Sequence, residues 1–434
     1  MPKLAAKPYW ATADNKSVKL YQGDVLDVLK RLPEKSVQMV VTSPPYWGLR
    51  DYQTVGQIGL EKTPDEFIDK MVEVFSLVHR VLRDDGTLWL NLGDTYSGGQ
   101  VGRSDKLKGG GLYKGRQQGW EESMRRARGR IALPSGNLVG TPWRVALALR
   151  ANGWILRQDI VWHKPSPMPE SVRNRCTKAH EYIFLLTKSN RYFYDAEAIR
   201  EKRGSEMSPE EYQELIQKAK LTTGFGDWYQ DRDGRKDDGY KSGNHFGGIS
   251  PPGGRNKRSV WTVVSESYDG AHFATFPRKL IEPCILAGTS EKGACVKCGA
   301  PWRRIMERTS YHTAPEEVWT KTKKRADLGC SVNKKGGMGQ AYQKWRDAHP
   351  DKTLGWEPSC DCGTEKTRPC IVLDPFVGSG TTCYVSLAHG RWSWGIDLSE
   401  VYLRDNAIPR IEGAILSRPK LARKLLGERP KRLF

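Results

Sequence analysis

An apolar run, Val37 to Val41, stops at Thr42-Ser43-Pro44-Pro45-Tyr46-Trp47. Proline has no N–H for a sheet ladder and disfavours helix in the residue before it, so the chain must leave its strand in a fixed extended turn. The turn presents a hydroxyl, two backbone carbonyls with no competing proline N–H, and an aromatic face. That set can grip a planar ring carrying an amino group. A structural Pro-Pro turn after a buried strand is the plainer alternative. A second run, Cys370-Ile371-Val372-Leu373-Asp374, leads into Pro375-Phe376-Val377-Gly378-Ser379-Gly380-Thr381-Thr382 and then a helical stretch. A glycine-rich turn between a strand and a helix N-terminus suits anions and nucleotide-like ligands. No Gly-Lys-Ser/Thr follows, which argues against a P-loop, and the dinucleotide Gly-x-Gly-x-x-Gly pattern is absent. What remains is a turn that lets backbone approach a ligand closely. Asp397, ending the next strand, suits the hydroxyls of a ribose.

Cysteines supply a third constellation. Cys295-Val296-Lys297-Cys298-Gly299 has knuckle spacing, and Cys360-Asp361-Cys362-Gly363 follows far downstream. Two close pairs can give four thiolates to one tetrahedral zinc, a structural site because no position stays open. The second pair has one intervening residue instead of two, Cys330 could replace one ligand, and free surface thiols are the alternative.

These groups need elements to hold them. A strand over residues 19–24, a helix over 25–32 ended by Pro33, and a strand over 37–41 make a strand–helix–strand unit, the building block of a parallel sheet. Asp24 and Ser43 then both sit at carboxyl ends of strands, where open α/β sheets bind ligands. Residues 63–82 form an amphipathic helix with Thr63 as cap and Pro64 in the first turn. Phe67, Met71, Val74, Phe75, Val78 and Leu82 make its buried stripe. Asp85-Gly86 turns into a strand over 87–92, and a helix over 141–152 precedes a strand over 154–164. Residues 180–188 and 191–194 read as a β-hairpin joined by Ser189-Asn190. A short strand over 261–264 and a helix over 278–287 follow. The fold class is therefore α/β, a parallel sheet finished by an antiparallel hairpin.

Three stretches break the pattern. Residues 97–130 are rich in glycine and cations, as a phosphate-tracking loop or a solvated linker would be. Residues 201–258 interleave cations with Tyr212, Phe225, Trp228, Tyr229, Tyr240 and Phe246, a composition suited to reading nucleic acid. Residues 303–352 are basic and poor in apolar side chains. Across 434 residues the net charge is +20, which points to a polyanionic partner, most often nucleic acid. No apolar run is long enough to span a bilayer, and the start lacks a signal-peptide pattern, so no membrane association and a cytoplasmic location are expected. Nine cysteines in such a setting favour metal or free thiols over disulfides.

Ser43-Pro44-Pro45-Tyr46 near the start and the Asp374 to Thr382 motif near the end resemble the two signatures of the amino-group DNA methyltransferases, which move a methyl from S-adenosylmethionine to cytosine N4 or adenine N6. The catalytic motif comes first and the cofactor motif last, as in the permuted β group. The resemblance covers most of residues 18–200 and 260–290, and again 367–410. It implies a Rossmann-like methyltransferase sheet with helices on both faces, to which this chain adds irregular inserts and a zinc-ribbon insert. It implies catalytic roles for Ser43, Pro44, Pro45 and Tyr46. Phe376, Gly378 and Gly380 resemble the loop around the methionine part of the cofactor, and Asp374 the acid at its head. Asp397 resembles the ribose acid, Asp24 the acid near the adenine, and Phe276 the residue that packs on the cofactor.

Such an amino nitrogen is a poor nucleophile, because its lone pair is delocalised into the ring. Hydrogen bonds to Ser43 and the Pro44 carbonyl would favour a pyramidal nitrogen aimed at the methyl donor. The base must leave the duplex, and Tyr46 can stack on it. Serine in first position favours cytosine N4, with adenine N6 the alternative. A catalytically silent DNA-binding protein and an RNA methyltransferase are further readings. The implied organisation is a catalytic half over 1–200, a target-recognition region over 201–260, a cofactor half over 261–290 and 367–434, and a cysteine-pair insert over 291–366. Double-stranded DNA is the implied partner, with a cognate restriction enzyme as a second, in a bacterial, archaeal or phage-infected cell.

Overall fold

A computed structural model describes residues 6–48, 54–97, 133–134, 136–167, 169–201, 256–266, 276–308, 349 and 351–417. The basic loop after Ser97, nearly all of the 201–258 stretch, Cys330 and most of 303–352 therefore lie outside the described residues. In chain order the main elements are β1 Trp10–Ala11, β2 Val18–Gln22, α1 Val25–Arg31, β3 Val37–Thr42, α2 Pro64–Val81, β4 Leu82–Leu92, α3 Thr141–Ala151, β5 Ile155–His163, β6 His180–Thr187, β7 Val260–Thr262 and α4 Arg278–Gly288. The second stretch holds β8 Ala294–Cys295, β9 Arg303–Glu307, β10 Lys352–Glu357, β11 Thr367–Arg368, β12 Ile371–Asp374, α5 Thr381–Ala388, β13 Trp392–Asp397 and, after a π turn at Leu403–Ala407, α6 Ile408–Leu416.

The chain divides into two compact units. One comprises residues 1–198, 258–303 and 356–434, and the other residues 199–257 and 304–355. In the second unit Arg200 pairs with Asp351 at 3.5 Å, and Arg304 Nη1 donates to Thr353 Oγ1 at 3.2 Å.

The first unit is built on a nine-stranded sheet in the order β1-β2-β13-β12-β3-β4-β6-β5-β7. Strands β2, β13, β12, β3 and β4 run parallel; β6 is antiparallel to both β4 and β5. All six residues of β3 are buried, as expected of a central strand covered on both faces. One face carries α1, α2 and α3, whose Val28, Leu29, Phe67, Met71, Phe75, Val145 and Leu149 share a core with β3 and β4. The other carries α5 and α6, with Cys383, Leu387, Ile411 and Ile415 packed on Val18 and Leu20. Thr63 caps α2 by accepting from Glu66 N at 3.2 Å, a device worth about 1 kcal/mol. Each fully buried side chain of its stripe contributes about 1.5–3 kcal/mol.

Two local expectations change. The partner of β6 is not 191–194 but β4 on one side and β5 on the other, so the antiparallel hairpin is β5–β6. Residues 191–194 leave the sheet: Phe193 N donates to Asp85 O at 2.8 Å, and Tyr194 stacks on Trp89. Asp85-Gly86 does not turn either. It lies within β4, which advances five residues (Leu82 to Thr87) while β3 advances two (Val37 to Met39), a bulge instead of a reversal. Among the described residues no helix is long and apolar enough to cross a membrane.

Candidate active site and cysteine cluster

The carboxyl ends of β2, β3, β12 and β13 open onto one cavity of about 330 Å³. Its walls include Asp24, Ser43, Pro44, Pro45, Tyr46, Phe276, Phe376, Gly378 and Asp397, so residues more than 350 positions apart converge. Asp374 and Gly380 do not line it. Asp374 is buried behind the glycine loop, where it accepts from Thr42 Oγ1 at 2.7 Å, Thr382 Oγ1 at 2.6 Å and Phe376 N at 3.0 Å. It thus ties the residue before Ser43 to the head of the loop and to the first turn of α5. Burial nonetheless pushes its carboxyl up to about 6. Gly380 caps α5 in the left-handed conformation, with φ of 79°, and a Cβ there would press on Ala407 at 3.3 Å.

Asp397 holds the loop from the other side. Its carboxylate accepts from Gly378 N at 3.0 Å and Ser399 N at 2.9 Å, and burial pushes it up to about 6 against those two bonds. Asp24 is the cap of α1, accepting from Leu26 N at 2.8 Å, and Gly23 N donates to Asp397 O at 3.0 Å. The two acids are therefore fixed next to each other by backbone.

Sequence reasoning missed the groups around the Tyr46 hydroxyl. The Tyr46 hydroxyl is 2.7 Å from Glu181 Oε2 and 3.2 Å from both Ser43 Oγ and Asn91 Oδ1. Glu181 also pairs with Lys164, whose Nζ sits 4.3 Å over the Trp162 ring. Asn91, Lys164 and Glu181 all line the cavity. A signal existed: Asn91 and Glu181 are polar residues inside strands, and a buried polar group needs a partner. Gly93 makes room for the ring, because a Cβ there would meet Tyr46 Cε2 at 2.6 Å.

The cysteine pairs do meet. The sulfurs of Cys295, Cys298, Cys360 and Cys362 all lie within 4.8 Å of one another. A tetrahedral zinc with bonds near 2.3 Å asks for sulfurs about 3.8 Å apart, which this donor set can satisfy with small shifts. The turn is knuckle-like: Gly299 N donates to Cys295 O at 2.9 Å, and Cys295 N to Ala300 O at 2.8 Å. The Cys298 amide directed at the Cys295 sulfur lowers that thiol to about 6. Pairing of β8 with β11 closes the base of the cluster. The buried Gln38 on β3 clamps it to the sheet, donating to Gly299 O at 2.9 Å and accepting from Ile371 N at 2.7 Å.

A cavity at the strand ends, a glycine loop and a Ser-Pro-Pro-Tyr turn on its rim agree with the sequence comparisons. The profile of a family described as DNA methylase, of the N6/N4 type, matches residues 37–296 and 367–408. The chain belongs to this DNA methylase family. The methylase is 43% identical over 274 residues to the Type II methyltransferase M.Cfr9I of Citrobacter freundii, covering 62% of this chain and 72% of that one. It is 38% identical over 283 residues to the Type II methyltransferase M.SmaI of Serratia marcescens, covering 64% and 77%. Among solved structures, the PvuII DNA methyltransferase, described as cytosine-N4-specific, aligns with 98% of the methylase and 97% of its own chain at a TM-score of 0.47 and 15% identity, a distant likeness. The methylase is thus an S-adenosylmethionine-dependent DNA amino-methyltransferase, with the glycine loop and the Ser-Pro-Pro-Tyr turn on one site in the permuted order.

Proposed function

We propose that this methylase transfers a methyl group to N4 of a cytosine flipped out of double-stranded DNA. The observation that carries the reading is the junction of Ser43 and Tyr46 with Phe376, Gly378 and Asp397 on one cavity. Serine at the head of the tetrapeptide favours cytosine over adenine N6. S-adenosylmethionine, when bound, supplies a methyl already activated as a sulfonium. The cavity fits that molecule: Asp397 and Asp24 offer carboxylates to hydroxyls and amines, and Phe276 and Phe376 offer apolar faces. Ser43 Oγ and the Pro44 carbonyl accept from the amino group of the base, which localises the nitrogen lone pair. Tyr46 and the prolines pack on the ring and exclude water. Asp374 and Gly380 act behind the site by holding the loop in shape.

The test is the separation of binding from turnover. Tyr46→Ala is expected to keep cofactor binding within about twofold while turnover falls by about 100-fold or more. Wild-type turnover in that variant would overturn the assignment of the catalytic turn.

The four cysteines hold one structural zinc in this reading, and the clamp through Gln38 makes that zinc a support for β3 and β12. Purified protein is expected to carry one zinc per chain, lost in Cys295→Ser together with a lower melting temperature. Metal-free wild-type protein would refute it. Residues 201–260 are assigned to target recognition on their cations and aromatics, helped by the 97–130 loop. A cognate restriction enzyme is the expected biological companion, since the relatives above are Type II methyltransferases.

A further inference from the structure

Serine can donate as well as accept, but only acceptance serves the role just given to Ser43. The amino group of a base brings hydrogens to the contact, so a Ser43 proton pointing into the cavity would oppose it. The hydrogen bonds around the Tyr46 hydroxyl decide where that proton goes. Glu181 is ion-paired with Lys164, so its carboxylate acts as an acceptor. The Tyr46 hydroxyl has one proton, and of its contacts with Ser43, Asn91 and Glu181 the shortest is the 2.7 Å approach to Glu181 Oε2. Asn91 lies 3.2 Å away with its carbonyl oxygen turned to Tyr46. Its amide nitrogen is committed elsewhere, donating to Tyr182 O at 3.0 Å and Glu181 Oε2 at 3.3 Å. Asn91 therefore presents no donor to Tyr46. With the phenolic proton drawn to the carboxylate, the Tyr46 oxygen accepts from Ser43 Oγ at 3.2 Å.

We propose that Glu181, acting through Tyr46, is a positioning residue for methyl transfer: it commits the Ser43 proton to the Tyr46 hydroxyl and leaves the Ser43 lone pairs available to the amino group. The inference rests on the reading of Ser43 as the group that holds the base. It explains how a hydroxyl, which could bond either way, presents the acceptor character that a carboxylate or an amide oxygen would have at the same place. Lys164, itself seated over the Trp162 ring, serves the chain by holding the Glu181 carboxylate in place through their ion pair.

The experiment is a double-mutant cycle read by single-turnover transfer from tritiated S-adenosylmethionine to unmethylated, PCR-amplified duplex DNA. Glu181→Gln is expected to slow transfer by about tenfold or more while cofactor and DNA affinities stay within about twofold. In a Tyr46→Phe background, where the relay is already cut, the same exchange is expected to change the rate by less than about twofold. A wild-type rate in Glu181→Gln, or a full multiplicative loss in the double variant, would overturn the relay. Ser43→Ala separates this failure from failure of the underlying reading. If Ser43→Ala transfers normally, the base-holding assignment falls. If it is impaired while Glu181→Gln is not, only the relay falls. Should Glu181→Gln not fold, Glu181→Asp keeps the charge but withdraws it from Tyr46. It is expected to show the same rate loss and the same silence in Tyr46→Phe.

Discussion

Asp397 is asked to do two things that conflict. It holds Gly378 and Ser399 by their amides, and in the proposed role it must also stay charged in a half-buried place to accept from a ribose. Burial wins part of that contest and pushes its carboxyl up to about 6. A carboxyl raised on folding makes the folded chain take up its proton first. The ligand-free protein therefore gains stability from Asp397 as pH falls through about 6 and loses it as pH rises. Cofactor binding in the proposed role has the opposite sign, because it would draw on the charged form. Between pH 7 and 5 the ligand-free melting temperature should hold or rise from this source while cofactor affinity falls by about tenfold. Asp397→Asn should remove the pH dependence of affinity and lower affinity at pH 7. Asp374, also raised to about 6, would preserve part of the stability trend in that variant. Calorimetric titration at pH 5 and 7 checks both; an affinity that is flat with pH in the wild type contradicts the role given to Asp397.

At the scale of elements, the ends of β3 and β12 are pinned together by one buried hydrogen bond, Thr42 Oγ1 to Asp374 Oδ1. It ties the Ser-Pro-Pro-Tyr turn to the glycine loop, and so, on the proposed function, the base to the methyl donor. Thr42→Val removes the donor without changing the shape of the side chain and leaves part of a buried carboxylate unsatisfied. The expected cost is about 1–3 kcal/mol of stability. Turnover should fall more than cofactor affinity, which denaturation and initial-rate measurements would show. Equal loss of both would mean the bond holds the loop alone. Both strands and both motifs were legible in the sequence because each is local: a buried run, then a turn whose prolines and glycines announce it. The hairpin was misplaced because Ser189-Asn190 has turn chemistry, while the true partners of β6 are set by tertiary pairing with β4 and β5. Asn91 and Glu181 escaped notice for the same reason. They stand 45 and 135 positions from Tyr46, and no spacing rule joins them.

At the scale of the molecule, the net charge of +20 suits a polyanion such as the DNA on which this family acts, and the proposed chemistry is placed in the cavity. The cysteine pairs, 62 positions apart at their nearest members, could be matched from sequence because the knuckle spacing of the first pair is itself a geometric statement and the second is a close pair. Their attachment through Gln38 could not, since a glutamine in an apolar strand says nothing of what it holds. What the whole assembly produces is decided by nucleoside mass spectrometry. Unmethylated DNA is incubated with the protein and S-adenosylmethionine and digested to nucleosides. A new 4-methylcytosine peak, absent in Tyr46→Ala, is the predicted result. A 6-methyladenine peak would keep the site and its geometry but contradict cytosine as the base. No methylated nucleoside from DNA, with cofactor bound, would contradict the account as a whole.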